Sequence, residues 1–114
     1  MAMAIKLLAS GHLPSNPTNF AQLTAPVPSG KAQIIKNMRF FNTTAGSIQV
    51  TVAVNSTSTI GGAPDAKTIL KQSIAAYTLL SDDKEITLEA TQKLEYLTAA
   101  AGIDFVVCGI ERDV

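Results

Sequence analysis

Few residues in this chain could carry chemistry, and their spacing decides what each could do. Asp82, Asp83 and Glu85 form the densest carboxylate cluster. Such a group can offer oxygen ligands to calcium or share a proton in acid catalysis. The spacing matches no calcium loop, however, and an acidic run of this kind reads first as a solvated turn. His12 is the only histidine, so any Ser/His or Cys/His catalysis would have to use it. It lies in a proline-rich stretch rather than on a framework strand, which is a poor place to hold a precise site. Cys108, the only cysteine, stands in the apolar run IDFVVCGI and reads as a small buried hydrophobe rather than a nucleophile. Gly61 and Gly62 lack the Lys and the Ser or Thr of a phosphate loop. Phe40 and Phe41 near Lys36 and Arg39 are the one grouping suited to stacking on a nucleic acid. With no Trp, and only Tyr77 and Tyr96 as tyrosines, few aromatic faces are available for sugars. We therefore expect no catalytic residues, no metal ligands and no cofactor.

These residues must be positioned by β-structure. In Ile48–Asn55 the branched side chains Ile48, Val50, Val52 and Val54 alternate with Gln49, Thr51 and Ala53, so one face of a strand is apolar. Ala32–Phe41 is rich in strand formers but pairs Ile34 with Ile35 and Phe40 with Phe41, as in a strand covered on both sides or carrying a bulge. Asn42 to Gly46 supply turn chemistry between the two, giving a β-hairpin as the organising unit. Further strands are expected over 4–9, 85–89, 94–100 and 103–110, the last buried on nearly both sides. Residues 66–80 fit a helical stripe loosely and a strand as well, and the all-β context favours strand. Ser81–Lys84 reads as an acidic turn, and residues 55–65, with paired glycines and a proline, as a polar loop.

From Ser10 to Pro28, Pro14, Pro17, Pro26 and Pro28 forbid a helix and deny ladder donors, so this stretch reads as an extended arm or an edge. Phe20 and Leu23 could anchor it to its own sandwich or to a neighbouring subunit. The fold expected is all-β: a single-domain antiparallel β-sandwich or small jelly roll with an extended proline-rich N-terminal arm. Residues 1–25 would form the N-terminal strand and arm, and 26–114 the sandwich core.

At 114 residues the chain can bury about 65% of its unfolded surface without disulfides. Nine basic and nine acidic residues leave no net field to steer it toward nucleic acid. Charged residues make up only 16%, a composition common where neighbouring subunits cover the surface. The apolar run in MAMAIKLLASG is too short for a signal sequence or a bilayer span, so neither secretion nor membrane insertion is expected.

The run VPSGKAQIIKNMRFFN (27–42), followed by a small polar turn and an alternating strand, resembles a pattern in small virion proteins of tailed bacteriophages. Residues 86–101 and 103–111 resemble the same group, so the likeness covers about three quarters of the chain. It implies a noncatalytic structural protein of the virion, assembled in the host cytoplasm. The expected role is a capsid cement or decoration protein that stabilises the shell by oligomeric binding. Its partners would be itself, as a dimer or trimer, and the major capsid protein. A tail or baseplate component bound to tail proteins is the nearest alternative. A carbohydrate- or nucleic-acid-binding β-barrel module is the alternative from another class. Leu13, Phe20 and Leu23 in the arm are the expected partner-binding residues, with Ile60 in the polar loop beside them. Ile60 either folds back onto the domain or meets a partner.

Overall fold

The structure, a computed structural model, describes residues 5–56 and 67–114. These residues hold nine strands: β1 (Lys6–Leu13), β2 (Asn16–Gln22), β3 (Lys31–Asn42), β4 (Ile48–Ser56), β5 (Lys67–Ile74), β6 (Leu79–Asp82), β7 (Ile86–Leu88), β8 (Gln92–Thr98) and β9 (Ile103–Asp113). They form two antiparallel sheets, one ordered β1-β9-β3-β6 with β7 also on β3, the other β2-β8-β4-β5. The first strand thus pairs with the last, the second with the last but one, and β4 with β5. That is the strand order of a jelly roll: a long folded hairpin rolled into two sheets.

Alternation places the core. Ile35, Met38 and Phe40 of β3, Val50 and Val52 of β4, Leu94 of β8, and Ile103 and Val107 of β9 are nearly inaccessible and form one cluster between the sheets. The expected hairpin is present, and the 66–80 ambiguity resolves to strand over Lys67–Ile74. Two expectations change. Leu79–Asp82 is a strand paired with β3, so the acidic turn begins later than its composition suggested. β9 is covered on one face only: Ile103, Phe105, Val107 and Gly109 are buried, whereas Val106 on the other face is exposed.

The proline-rich stretch is built into both sheets. β1 lies along β9, with Leu13 opposite Ile103. β2 lies along β8, but only Asn16, Ala21 and Gln22 keep register, so Pro17 to Phe20 bulge away from the ladder. Proline is tolerated there because an edge strand has one side without partners. Beyond β2 the chain still follows β8: the Leu23 and Thr24 amides donate to the Leu94 carbonyl, and the Leu94 amide donates to Thr24 Oγ1. Leu13 and Leu23 are core residues of this chain, with 4% and 5% of their surface exposed.

A paired irregularity bends the first sheet. Leu8 in β1 and Lys36 in β3 are extra residues where their neighbours in the register face Val107 to Gly109 of β9. Bulges on both sides of one strand increase twist locally. Gly109 sits between them because a Cβ there would strike the Ile34 carbonyl oxygen and approach Leu8 to 2.9 Å. The same bulge divides the edge: β6 pairs with β3 on one side of Lys36 and β7 on the other.

Asn42 ties one end of the sandwich. Fully buried, it donates through Nδ2 to the carbonyls of Gly46 (2.7 Å) and Ile74 (2.9 Å), while its Oδ1 accepts from Thr44 N (2.9 Å) and Thr44 Oγ1 (2.7 Å). Thr43 N and Oγ1 both donate to the Gly102 carbonyl, and Gly102 has the positive φ (121°) that its turn needs. Three loops are thereby held together at a residue that composition marks only as a turn former.

Asn42→Ala would strand the buried Ile74 carbonyl, and we expect a loss of about 2–3 kcal/mol, read as a lower urea midpoint at unchanged slope. Deletion of residues 1–25 would strip an edge strand from each sheet together with Leu13 and Leu23. The expected result is loss of cooperative unfolding by circular dichroism; a shortened chain that still melts sharply would show that the core stands without them.

Candidate interaction surface

The two sheets present different outer faces. On β8, Lys93 and Glu95 are two apart and share the outer face of the second sheet. There they form a buried ion pair (3.4 Å), and Asn55 Nδ2 donates to Glu95 Oε1 at 2.9 Å. Ala53 and Thr51 beside them are also buried. The outer face of the first sheet is open.

Register fixes the rows of that open face. His12, Asp104, Phe41 and Leu79 lie side by side across β1, β9, β3 and β6. Ser10, Val106, Arg39 and Ser81 make the next row, and Leu7, Cys108 and Asn37 the one after. Large apolar side chains stand out to solvent: Leu7 is 58% exposed, Leu79 52%, Phe41 38% and Val106 38%. Ile5, just before β1, is also exposed.

Two shallow grooves flank the Arg39–Val106 pair. One of about 440 Å³ is lined by Ile5, Lys36, Asn37, Asp83 and Cys108 as well as that pair. The other, about 200 Å³, lies between Arg39, Phe41, Leu79, Asp104 and Val106.

The acidic segment expected as a solvated turn is anchored to the Lys36 bulge. Glu85 pairs with Lys36, Asp83 accepts from Asn37 Nδ2, and Asp82 Oδ1 accepts from the Lys84 amide at 3.0 Å. These carboxylates therefore hold the gap between β6 and β7 against β3. His12 contacts Asp104 through Nδ1 at the surface. The Arg39 side chain makes no ion pair or hydrogen bond among the described residues, and it stands amid Val106, Phe41 and Leu79.

Of the residues expected to meet a partner, Leu13 and Leu23 are in the core, Phe20 is half-buried on the β2 bulge, and Ile60 lies outside the described residues. Cys108 is half-buried on the outer face rather than enclosed. Phe40 is wholly inside, so only Phe41 of the aromatic pair could stack on a ligand; Tyr96 is buried and Tyr77 exposed. Sequence reasoning missed the outer face, although its signal was present: Phe41 and Val106 were apolar residues in phase with the solvent side.

The far end of the sheet is polar. Lys31 pairs with Asp113 (2.7 Å), Gln33 Nε2 donates to Glu111 Oε1 (3.0 Å), and Lys6 approaches Glu111 at 3.7 Å. The Gln33 amide, with help from Lys6 and Lys31, holds the Glu111 carboxyl below its ordinary range, and the Lys31 ammonium does the same for Asp113. Lys31 is raised in turn, chiefly by its hydrogen bond to Asp113.

No protein-family model matches the chain, and no curated protein does. Solved structures similar to it include the Drosophila NLP core, described for pentamer formation and histone binding: 11% identity, 92% of this chain against 99% of that one, TM-score 0.48. A pentameric capsid protein from metagenomic phage sequences is 16% identical over 97% of this chain and 64% of its own, TM-score 0.42. The Gt strain of infectious bursal disease virus gives 14% identity over 96% of this chain and 32% of that one, TM-score 0.37. At TM-scores below 0.5, none of these assigns this chain a partner or a role.

Carboxylates with lowered folded-state pKa values stabilise above their ordinary range and lose that contribution as pH falls through the folded values. The thermal midpoint is therefore expected to drop from pH 6 to pH 3, and Glu111→Gln to flatten part of that slope. An unchanged slope in Glu111→Gln would remove Glu111 from the effect.

Proposed function

We propose that the chain is a noncatalytic structural protein of a bacteriophage virion, acting as a capsid cement or decoration protein that binds the assembled shell as an oligomer. One observation carries the reading: the open sheet face, where Leu7, Phe41, Leu79 and Val106 stand exposed around an Arg39 side chain without a partner among the described residues, on a two-sheet framework. Contiguous apolar surface of this kind marks an interaction site. The likeness of residues 27–42, 86–101 and 103–111 to small tailed-phage virion proteins supplies the context. The capsid proteins with a loosely similar outline carry none of the weight.

The physics asks for no reactive group. A protein that binds the assembled lattice but not its separated subunits adds its binding free energy to shell stability by mass action. Linking copies raises effective concentration, so modest single contacts become lasting attachment. A tail or baseplate role would use the same surface on a different partner.

Co-sedimentation with empty phage shells tests this directly. Saturable binding, together with a light-scattering mass above that of one chain, is the expected outcome. A protein that ignores shells but binds purified tail proteins would move the assignment to the tail. One that binds neither would end the virion reading.

A further inference from the structure

We propose that the outer face of the β1-β9-β3-β6 sheet binds the same face of a second copy, with Arg39 of each copy meeting Asp104 of the other across a twofold axis. This rests on the oligomeric half of the function proposed above and not on its virion assignment.

The sequence and the fold disagree about this face in an informative way. β3 and β9 have the composition of strands covered on both sides, with Ile34, Phe41, Val106, Cys108 and Ile110 in phase with the outside. Of these, Phe41 and Val106 are exposed and Ile34, Cys108 and Ile110 only half-buried, whereas the inner face is buried. A second sheet laid on the outer face would supply the cover that the composition calls for.

The occupant is a second copy because the face complements itself. The Arg39 side chain has no partner among the described residues, while the Asp104 carboxylate, one row away on the adjacent strand, contacts the His12 ring at the surface. Such diagonal neighbours lie about 7–8 Å apart. A twofold axis in the plane of the face, running between them, brings each Arg39 onto the other copy's Asp104 and satisfies both charges at once. The same rotation sets Phe41 and Val106 at the centre, where an aromatic residue and an arginine are favoured.

Size agrees as well. With 8 residues in β1, 11 in β9, 12 in β3, 4 in β6 and 3 in β7, each covering about 3.3 Å by about 4.8 Å, the face spans roughly 600 Å² on each copy. Doubled, that reaches the lower part of the range for specific interfaces, about 1,200–2,000 Å². With nine basic and nine acidic residues, no net charge opposes the approach of two copies.

The test is sedimentation velocity on the full chain over a concentration series, with circular dichroism to check the fold of each variant. Wild type is expected to self-associate. Val106→Arg should weaken association at least about 30-fold, equivalent to the ~2 kcal/mol of an interface hot spot. Ile69→Arg, at an exposed position on β5 of the other sheet, should leave it unchanged. Arg39→Asp should also weaken association, and adding Asp104→Arg should restore it. Both of those side chains lie at the surface, so this pair carries the test if Val106→Arg fails to fold. Association that survives Val106→Arg and Arg39→Asp but is lost in Ile69→Arg would overturn the face and keep the oligomer. Failure of the double charge exchange to restore binding would overturn the Arg39–Asp104 pairing. A wild-type chain that stays monomeric throughout would overturn both this interface and the oligomeric reading.

Discussion

Everything in this fold depends on β9 lying against β3. Eleven residues of β3 keep register with β9 across a gap of some sixty residues of chain. That ladder closes the roll: it sets β1 on the far side of β9, holds the edge pieces β6 and β7 on the far side of β3, and buries Ile35, Met38, Phe40, Ile103 and Val107 together. Pairing so distant in sequence costs loop-closure entropy before its contacts are made, and domains dominated by such contacts fold slowly for that reason. The polar end of the ladder, Lys31 with Asp113 and Gln33 with Glu111, supports its register where apolar side chains run out.

Much of this arrangement was legible in the residues. The alternation from Ile48 to Val54 identified β4, and the apolar run from Ile103 to Ile110 identified β9, though not which of its faces the chain would bury. What could not be read was context. The prolines of residues 14–28 argue for an extended arm or an edge, and only the finished sheets decide for an edge, with Pro17 inside a bulge. Leu13 and Leu23 were visible as apolar residues in polar surroundings, which fits a core plug as well as a partner anchor. Local sequence does not distinguish the two, because the difference lies in which strands close over them. Asn42 illustrates the same limit: its side chain suits a turn, but its four hydrogen bonds depend on loops brought in from residues 44, 46 and 74.

The site was less legible than the fold. An interaction face has no spacing rule comparable to a metal site or a phosphate loop, and an apolar residue in the outward phase of a strand looks the same in sequence whether a loop, a helix or another molecule covers it. Phe41 and Val106 show this. Only the register, which sets them next to Arg39 and Asp104, and their exposure turn two hydrophobic letters into part of a surface.

The break between β6 and β7 has a consequence for how copies can grow together. A long unbroken margin offers a row of free amides and carbonyls on which another chain can add a strand, and repetition of that event produces fibres. Here the margin is cut into pieces of four and three residues, kinked at Lys36 and spanned by Asp83 and Glu85. Edge-by-edge accretion on that side is thereby discouraged. In the face-to-face pairing proposed above, copies would meet instead through a broad surface that a single mate fills, and growth would stop at a finite particle.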